Sequence, residues 1–321
     1  MSSIQLALFH KSKTERIPEP ENPTFSEWSY SRRGVLEQCP RKYYYQYYGP
    51  SLKKSNNDPD KEKLRFLKQL QNRHLRTGNL LHLVIRTYLK KNQQGKQWSL
   101  DRLLSWARKM YWADLVYSRE YENGTRIPDG DHSPALLLEF YYDLPDADPV
   151  CIEAGRRLIT ALTNFVQSQN FAQFRESACH TTTQIEKPMR LKESRFTLKG
   201  TVDLIYWEDD RVVIVDWKIG SAGNSDDSLQ MLAYAWLAKQ EFGIPVDRIT
   251  LHRAHLVNDI VSTFNVTDKD LKRTKAKILQ DLEQMQTAHR FGQQWVADAF
   301  TPYAQPKVCD LCQFQEVCPK E

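Results

Sequence analysis

The sequence predicts an α/β fold, a small mixed sheet flanked by helices, and three observations carry that reading. Three consecutive stretches, Thr181 to Arg190, Phe196 to Trp207 and Arg211 to Ile219, alternate apolar and polar residues with period 2. Apolar residues recur at helical spacing on either side of them, with Leu81, Val84, Ile85, Tyr88 and Leu89 upstream and Leu271, Ile278, Leu282 and Met285 downstream. The chain has 321 residues, 40% apolar and 26% charged, enough for one large domain or two small ones. No run approaches the roughly 18 apolar residues of a membrane span.

The elements follow in order. Residues 1–24 end in Pro18, Pro20 and Pro23 and read as a tail or linker, with no basic stretch or cleavage site of a secretory signal, so the expected compartment is cytoplasmic. Phe25 to Gly49 is basic and aromatic, and Ser29 or Ser31 caps a short helix that Pro40 interrupts. Lys53 to Lys63 reads as a loop and Leu64 to Lys91 as one helix. Trp98 to Tyr121 and Cys151 to Ser177 are two further helical patterns, joined by a Pro/Asp/Gly-rich connector from Pro128 to Pro149. Glu208-Asp209-Asp210 is the turn of a hairpin between the second and third strands. Ser225 to Glu241 is helical, Arg248 to Val257 and Ile260 to Val266 are strands around Asn258-Asp259, Asp268 to Arg290 is a long amphipathic helix, and the tail from Pro302 is loop-like.

A net charge of +5 is too small to indicate a polyanion partner, but its distribution is uneven: Arg32 to Arg76 holds 12 Lys/Arg against 4 Asp/Glu. Six cysteines are too few for a disulfide scaffold in a chain of this length.

Strand alternation puts Asp216 and Lys218 on one face, roughly 6 to 7 Å apart along the backbone. A charged pair after the apolar run Val212 to Val215 either binds something or forms a surface ion pair at a strand end. A hairpin centred on Asp209 sets Asp203 beside Asp216. Two adjacent carboxylates repel, and a divalent ion such as Mg²⁺ keeps both as anions. Glu186, one strand earlier, can join as a direct or water-mediated ligand. A lone histidine such as His82, beside an apolar helix stripe, is on periodicity alone a core or surface residue. Gln230 and Tyr234, four apart on one helix face, are equally open to a packing role.

The order of these elements resembles the PD-(D/E)xK nuclease superfamily, RecB-like branch. The residues that match are Gly78-Asn79-Leu80-Leu81-His82, Glu186, Gly200-Thr201-Val202-Asp203, Asp216-Trp217-Lys218 and Gln230-Met231-Leu232-Ala233-Tyr234. Val202 stands where the superfamily name places a proline. The resemblance implies a restriction-endonuclease-like core over residues 25–321, with a helical insertion at about 95–180 and a cysteine-rich tail at 302–321. It implies metal ligation by His82, Asp203, Asp216 and the Trp217 carbonyl, with Mg²⁺ or Mn²⁺ polarising the scissile phosphate and Lys218 orienting or activating the attacking water. Glu186, Gln230 and Tyr234 complete the implied catalytic set. Gly78, one turn before His82, would let its helix approach the sheet closely.

Cys309, Cys312 and Cys318 cluster in the polar tail, the last followed by Pro319, and Cys39 also precedes a proline. Four thiolates fit zinc or an iron–sulfur cluster. The arrangement is similar to that of the iron–sulfur nucleases of the same superfamily, AddB-like and CRISPR-adaptation nucleases among them, and implies a 4Fe–4S cluster on these four residues. Cys151 and Cys179 are left to packing. Arg32, Arg33, Arg41 and Lys42, with the tyrosines at 43–45, 47 and 48, supply phosphate contacts and stacking faces, or else form a solvated helix face over an aromatic core.

The resulting expectation is a metal-dependent DNA nuclease acting on single strands or duplex ends in repair, recombination or defence. The alternative is a non-catalytic DNA-binding or scaffold subunit of a helicase–nuclease complex. The chain carries no Gly-x-x-x-x-Gly-Lys-Ser/Thr motif, so ATP-driven unwinding falls to a helicase or another repair or defence subunit.

Overall fold

The computed structural model describes residues 26–49, 59–194, 196–220, 228–293, 300–303 and 305–318. The tail expected at residues 1–24, residues 53–58 of the expected loop, and Pro319 lie outside them. In chain order the elements are β1 (Ser26–Trp28), α1 (Tyr30–Gln38), α2 (Pro40–Tyr47), α3 (Pro59–Leu67), α4 (Arg73–Gln93), α5 (Leu100–Arg119), α6 (Leu138–Tyr141), α7 (Ala147–Gln167) and α8 (Ala172–Ser177). They continue with β2 (Gln184–Lys192), β3 (Phe196–Glu208), β4 (Arg211–Lys218), α9 (Ser228–Phe242), β5 (Ile249–His255), β6 (Ile260–Asn265), α10 (Asp268–Gln293) and α11 (Pro306–Cys309).

The six strands form the expected mixed sheet, in the order β1-β3-β4-β5-β6 with β2 also paired to β3. β3 and β4 are antiparallel around a turn in which Asp209 takes a positive φ of 53°, and β5 and β6 are antiparallel around Asp259, φ 56°. β4 and β5 are parallel, which requires a crossover, and α9 supplies it. That helix is buried on nearly every side by Leu229, Met231, Ala233, Ala235, Trp236 and Leu237.

Two compact units are drawn from this chain: residues 1–69, 190–199 and 275–321, and residues 70–189 and 200–274. In the second, α7 packs against α4 and α5, and Leu80, Leu81, Val84, Leu103, Leu158 and Phe165 share a core with Val213, Val215 and Trp217 of β4. In the first, β1 runs parallel to the start of β3, and the buried Asp281 of α10 accepts a hydrogen bond from Trp28 Nε1 (3.1 Å) and pairs with Arg33 (3.0 Å) and Lys277 (3.1 Å).

Several boundaries differ from expectation, each for a local reason. Leu64 to Lys91 is two helices. Gln71 pairs strand-like with Leu137, and the Asn72 side chain accepts from Leu75 N (2.9 Å) to start α4 afresh. The expected loop before it is already helical from Pro59. Cys151 to Ser177 breaks at Ser168, whose hydroxyl accepts from Asn170 N (3.1 Å) and opens a 3₁₀ turn ahead of α8. Pro40 begins α2 instead of merely ending α1. Its missing N–H falls where none is needed, and Cys39 caps the helix, its Sγ accepting from Lys42 N (3.5 Å). No helix among the described residues is long and apolar enough to cross a membrane.

Candidate active site

The pairing of β3 with β4 sets Leu204 opposite Val215, so one step further along the same register Asp203 meets Asp216. Both carboxylates are buried. Asp203 Oδ2 accepts a hydrogen bond from Trp217 N (2.7 Å), and its Oδ1 lies 3.1 Å from His82 Nδ1. Glu186 Oε1 approaches the same nitrogen at 3.5 Å. Glu186 reaches that point from a strand position with φ 52°, a left-handed conformation unfavourable for a side chain of its size and found where structure over-determines a functional group. α4 is held in place by buried ion pairs, Arg76 with Asp114 (2.7 Å) and Arg73 with Glu139 (2.9 Å), and its apolar stripe fixes the rotation that presents His82.

The donor atoms of His82, Glu186 and Asp203 all lie within 4.8 Å of one another, and no other His, Cys, Asp or Glu trio among the described residues does. Asp216 stands outside that trio and Glu186 inside it, the reverse of the emphasis expected from sequence. Burial lowers the affinity of His82 for a proton, but the Asp203 and Glu186 carboxylates outweigh it and raise the imidazole from 6.5 to about 10. Burial raises Asp203 above the usual carboxylate range, against the pull of His82. The group therefore holds a proton where a cation fits. Imidazole and carboxylate donors suit Mn²⁺, and carboxylates suit Mg²⁺. Asp216 is also buried, and its Oδ2 makes no hydrogen bond among the described residues but pairs with the Lys218 ammonium, a place that a bound cation would take.

Lys218 folds back on Asp216, with Nζ 3.0 Å from Oδ2 and 3.3 Å from Oδ1. On β5, Arg253 is paired in register with Asp216 and His255 with Lys218. Neither β5 residue was singled out from sequence, although the alternation in Arg248 to Val257 puts both on one strand face. On α9, Gln230 Nε2 donates to Tyr234 Oη (2.9 Å), and Tyr234 donates to the Thr201 carbonyl (2.8 Å). Burial, with the Asp216 and Asp203 carboxylates, pushes the Tyr234 hydroxyl well up, so it stays a donor. Gly200 makes room for this brace: a Cβ there would come within 2.8 Å of the Tyr234 ring.

The family model of the PD-(D/E)XK nuclease superfamily matches residues 27–319. The chain belongs to that superfamily. Membership carries phosphodiester hydrolysis, divalent-metal use and a DNA substrate as superfamily properties. Among solved structures, a protein from Eubacterium rectale, named provisionally as an exonuclease, is 12% identical over 68% of this chain and 89% of its own, with a TM-score of 0.33. Another, named SSO0001, is 14% identical over 56% and 80%, with a TM-score of 0.28. No curated protein matches.

The remaining expected positions of this superfamily member divide. A Cβ on Gly78 meets nothing within 4 Å, so the close helix-to-sheet approach expected there does not occur among the described residues. Arg33 and Arg41 are buried, Arg33 pairing with Glu37 (2.6 Å) and Asp281 and Arg41 donating to the Phe300 carbonyl (2.6 Å), so neither faces a solvated nucleic-acid surface. Tyr43, Tyr44, Tyr45 and Tyr48 are buried with them, and the stacking faces expected from these rings are spent on each other and on Phe300 and Phe314. Arg32 is half-buried against Tyr43 and Tyr47, and Lys42 donates to Gln38 (3.2 Å).

Cys39, Cys309, Cys312 and Cys318 all belong to the first unit. Tyr303 N donates to Cys39 Sγ (3.4 Å), and Tyr45 donates to the Val317 carbonyl (2.9 Å), so Tyr303 and Val317 lie against α2 and its cap. Burial raises the Cys312 thiol to about 11, with the Cys39 and Cys318 sulfurs adding to the effect; burial and Cys39, with Cys309, raise Cys318. Cys151 is buried as expected of a packing residue, whereas Cys179 is exposed and does not pack.

Proposed function

We propose that the chain is a divalent-metal-dependent deoxyribonuclease, exo- or endo-acting, on single-stranded DNA or duplex ends. The observation that carries this reading is the convergence of His82, Glu186 and Asp203 within 4.8 Å beside the Asp216–Lys218 pair. His82, Glu186 and Asp203 would hold Mg²⁺ or Mn²⁺, with Asp216 and the Trp217 carbonyl as further oxygen donors. A bound cation would polarise the scissile phosphate and lower the pKa of an attacking water. Lys218 donates its N–H groups to that water and to the phosphate oxygens as charge develops on them. Gln230 and Tyr234 act as positioning residues, tying α9 to β3 two residues before Asp203. Arg32 and Lys42 are the basic residues of their segment left to meet a DNA backbone, in repair, recombination or defence, with any unwinding supplied by a helicase partner.

The same reading includes a 4Fe–4S cluster on Cys39, Cys309, Cys312 and Cys318. All four belong to one compact unit, and the Cys39 and Cys318 sulfurs both act on the Cys312 thiol, which supports a single group held by the four. The test is anaerobic purification, iron and sulfide analysis, and a Mg²⁺ or Mn²⁺ titration of cleavage on labelled single-stranded and duplex DNA. Metal-dependent cleavage abolished by EDTA is expected; DNA binding without cleavage at any metal concentration would return the chain to a non-catalytic subunit.

A further inference from the structure

Asp216 faces two cations of different character. Lys218 is a flexible ammonium with 31% of its side chain exposed, while Arg253, on the neighbouring parallel strand, is only 2% exposed and has its Nε 3.5 Å from Asp216 Oδ2. The guanidinium is steadied on its other side by the Phe264 ring of β6, 5.7 Å from ring centre to guanidinium carbon. Arginine keeps its charge at every accessible pH, and a buried permanent charge persists in a fold only beside an opposite one. Lysine has no such constraint at a third exposure.

The chemistry requires the two cations to part company. In the structure the Lys218 ammonium rests on Asp216, yet its task is to donate to the attacking water and the phosphate. Once it turns away, a buried Asp216 offered to the metal as an oxygen donor would still need a fixed protein cation behind it to keep its orientation, with or without metal bound. Arg253 is that cation. We propose that Arg253 is a positioning residue of the nuclease site, the standing counter-ion that fixes the Asp216 carboxylate while Lys218 is released to the substrate. The proposal rests on the nuclease reading above.

Arg253→Met removes the charge at similar length, and Arg253→Lys keeps it. In Arg253→Met, kcat on a labelled oligonucleotide is expected to fall about tenfold or more with KM changed less than about twofold. Mn²⁺ binding to the DNA-free protein weakens about threefold or more, and Arg253→Lys restores most of both. Melting in EDTA reads the pair without any cleavage: Asp216→Asn and Arg253→Met each lower the midpoint, and the double variant loses less than the two shifts together. If Arg253→Met does not fold, recovery of folding on adding Asp216→Asn supports the pair, and a double variant that also fails overturns it. Wild-type kcat and Mn²⁺ affinity in Arg253→Met, additive melting shifts, or an Arg253→Lys as impaired as Arg253→Met likewise overturn the proposal. Wild-type protein that cuts no DNA would defeat the nuclease reading instead, and the melting cycle would still decide whether Arg253 and Asp216 act as a pair.

Discussion

The carboxylate–histidine group and the four cysteines both gather donors from distant parts of the chain, but by different means. His82, Glu186, Asp203 and Asp216 ride on a long helix and on strands, where a period of 3.6 or 2 decides which way each side chain points. Their donors are hard, charged and set in a fixed network of ion pairs. The cysteines sit at helix ends and turns: Cys39 caps α2, Cys309 ends α11, and Cys312 and Cys318 lie in the turns after it. Aromatic contacts such as Tyr44 with Phe300 and Tyr45 with Phe314 bring these segments together in place of a hydrogen-bonded ladder. A site on regular elements is preorganised before its ligand arrives; a site on turns depends more on the ligand for its shape.

That contrast makes the two separable. Lys218→Ala should lower kcat by about 10³-fold, since it removes a donor to developing charge while Arg253 stays beside the buried Asp216. Iron content and the melting midpoint should stay at wild-type values, read by colorimetric iron assay and thermal melting. Asp216→Ala should abolish cleavage too but also destabilise by about 3 kcal/mol, because it takes the carboxylate away from the buried Arg253 charge. Loss of iron in Lys218→Ala would break the comparison.

The reverse experiment acts on the turns. Replacing any one of Cys39, Cys309, Cys312 or Cys318 by Ala should lose iron and an absorption band at about 400 nm, and lower stability by several kcal/mol, because ligation energy there is folding energy. Cys179→Ala, at an exposed position, should keep all three. A colourless, iron-free protein that remains as stable and active as the iron-loaded one would remove the cluster and leave the carboxylate site standing.

How much of this could be read in the sequence follows the same division. Strand alternation and the acidic turn at Glu208-Asp209-Asp210 were enough to pair Asp203 with Asp216, because in a hairpin one register fixes every partner. The break before α4 was hidden, since the apolar spacing of Leu64 to Lys91 runs through it and only the cap at Asn72 ends one helix and starts another. Arg253 was missed because a parallel partner strand arrives through a crossover, and nothing local reports its register. The basic segment misled for another reason. Arg33 and Arg41 look solvated by composition, but Asp281 and the Phe300 carbonyl, both more than 240 positions away, take them into the interior.

A smaller effect sharpens the claim that the carboxylate site is preorganised around a proton. With metal chelated, the His82 imidazolium is stabilised by Asp203 and Glu186, its pKa raised from 6.5 to about 10. A raised basic group contributes stability that is full below its unfolded pKa and is lost as pH climbs through the folded one. EDTA-treated wild type should therefore lose melting temperature between pH 7 and about 10 more steeply than His82→Gln. Mn²⁺ affinity should rise with pH over the same window, because the cation must displace that proton. Equal pH profiles for wild type and His82→Gln would show that the imidazole carries no such charge.

The smallest effect separates two glycines that the superfamily pattern treats alike. At Gly200 an added Cβ meets Tyr234 Cε1 at 2.8 Å and Cδ1 at 3.2 Å, with Leu237 Cδ1 at 3.3 Å. The ring cannot retreat without giving up its bonds to Gln230 and the Thr201 carbonyl, so Gly200→Ala should cost about 1 to 3 kcal/mol. At Gly78, inside α4, the same methyl meets nothing within 4 Å, and the helix gains what alanine offers over glycine, about 1 kcal/mol. Urea titration of the two variants in EDTA reads opposite signs if regular structure alone places this site. A Gly78→Ala that unfolds as early as Gly200→Ala would mean that α4 approaches a neighbour at Gly78 after all, and that the space beside His82 is filled.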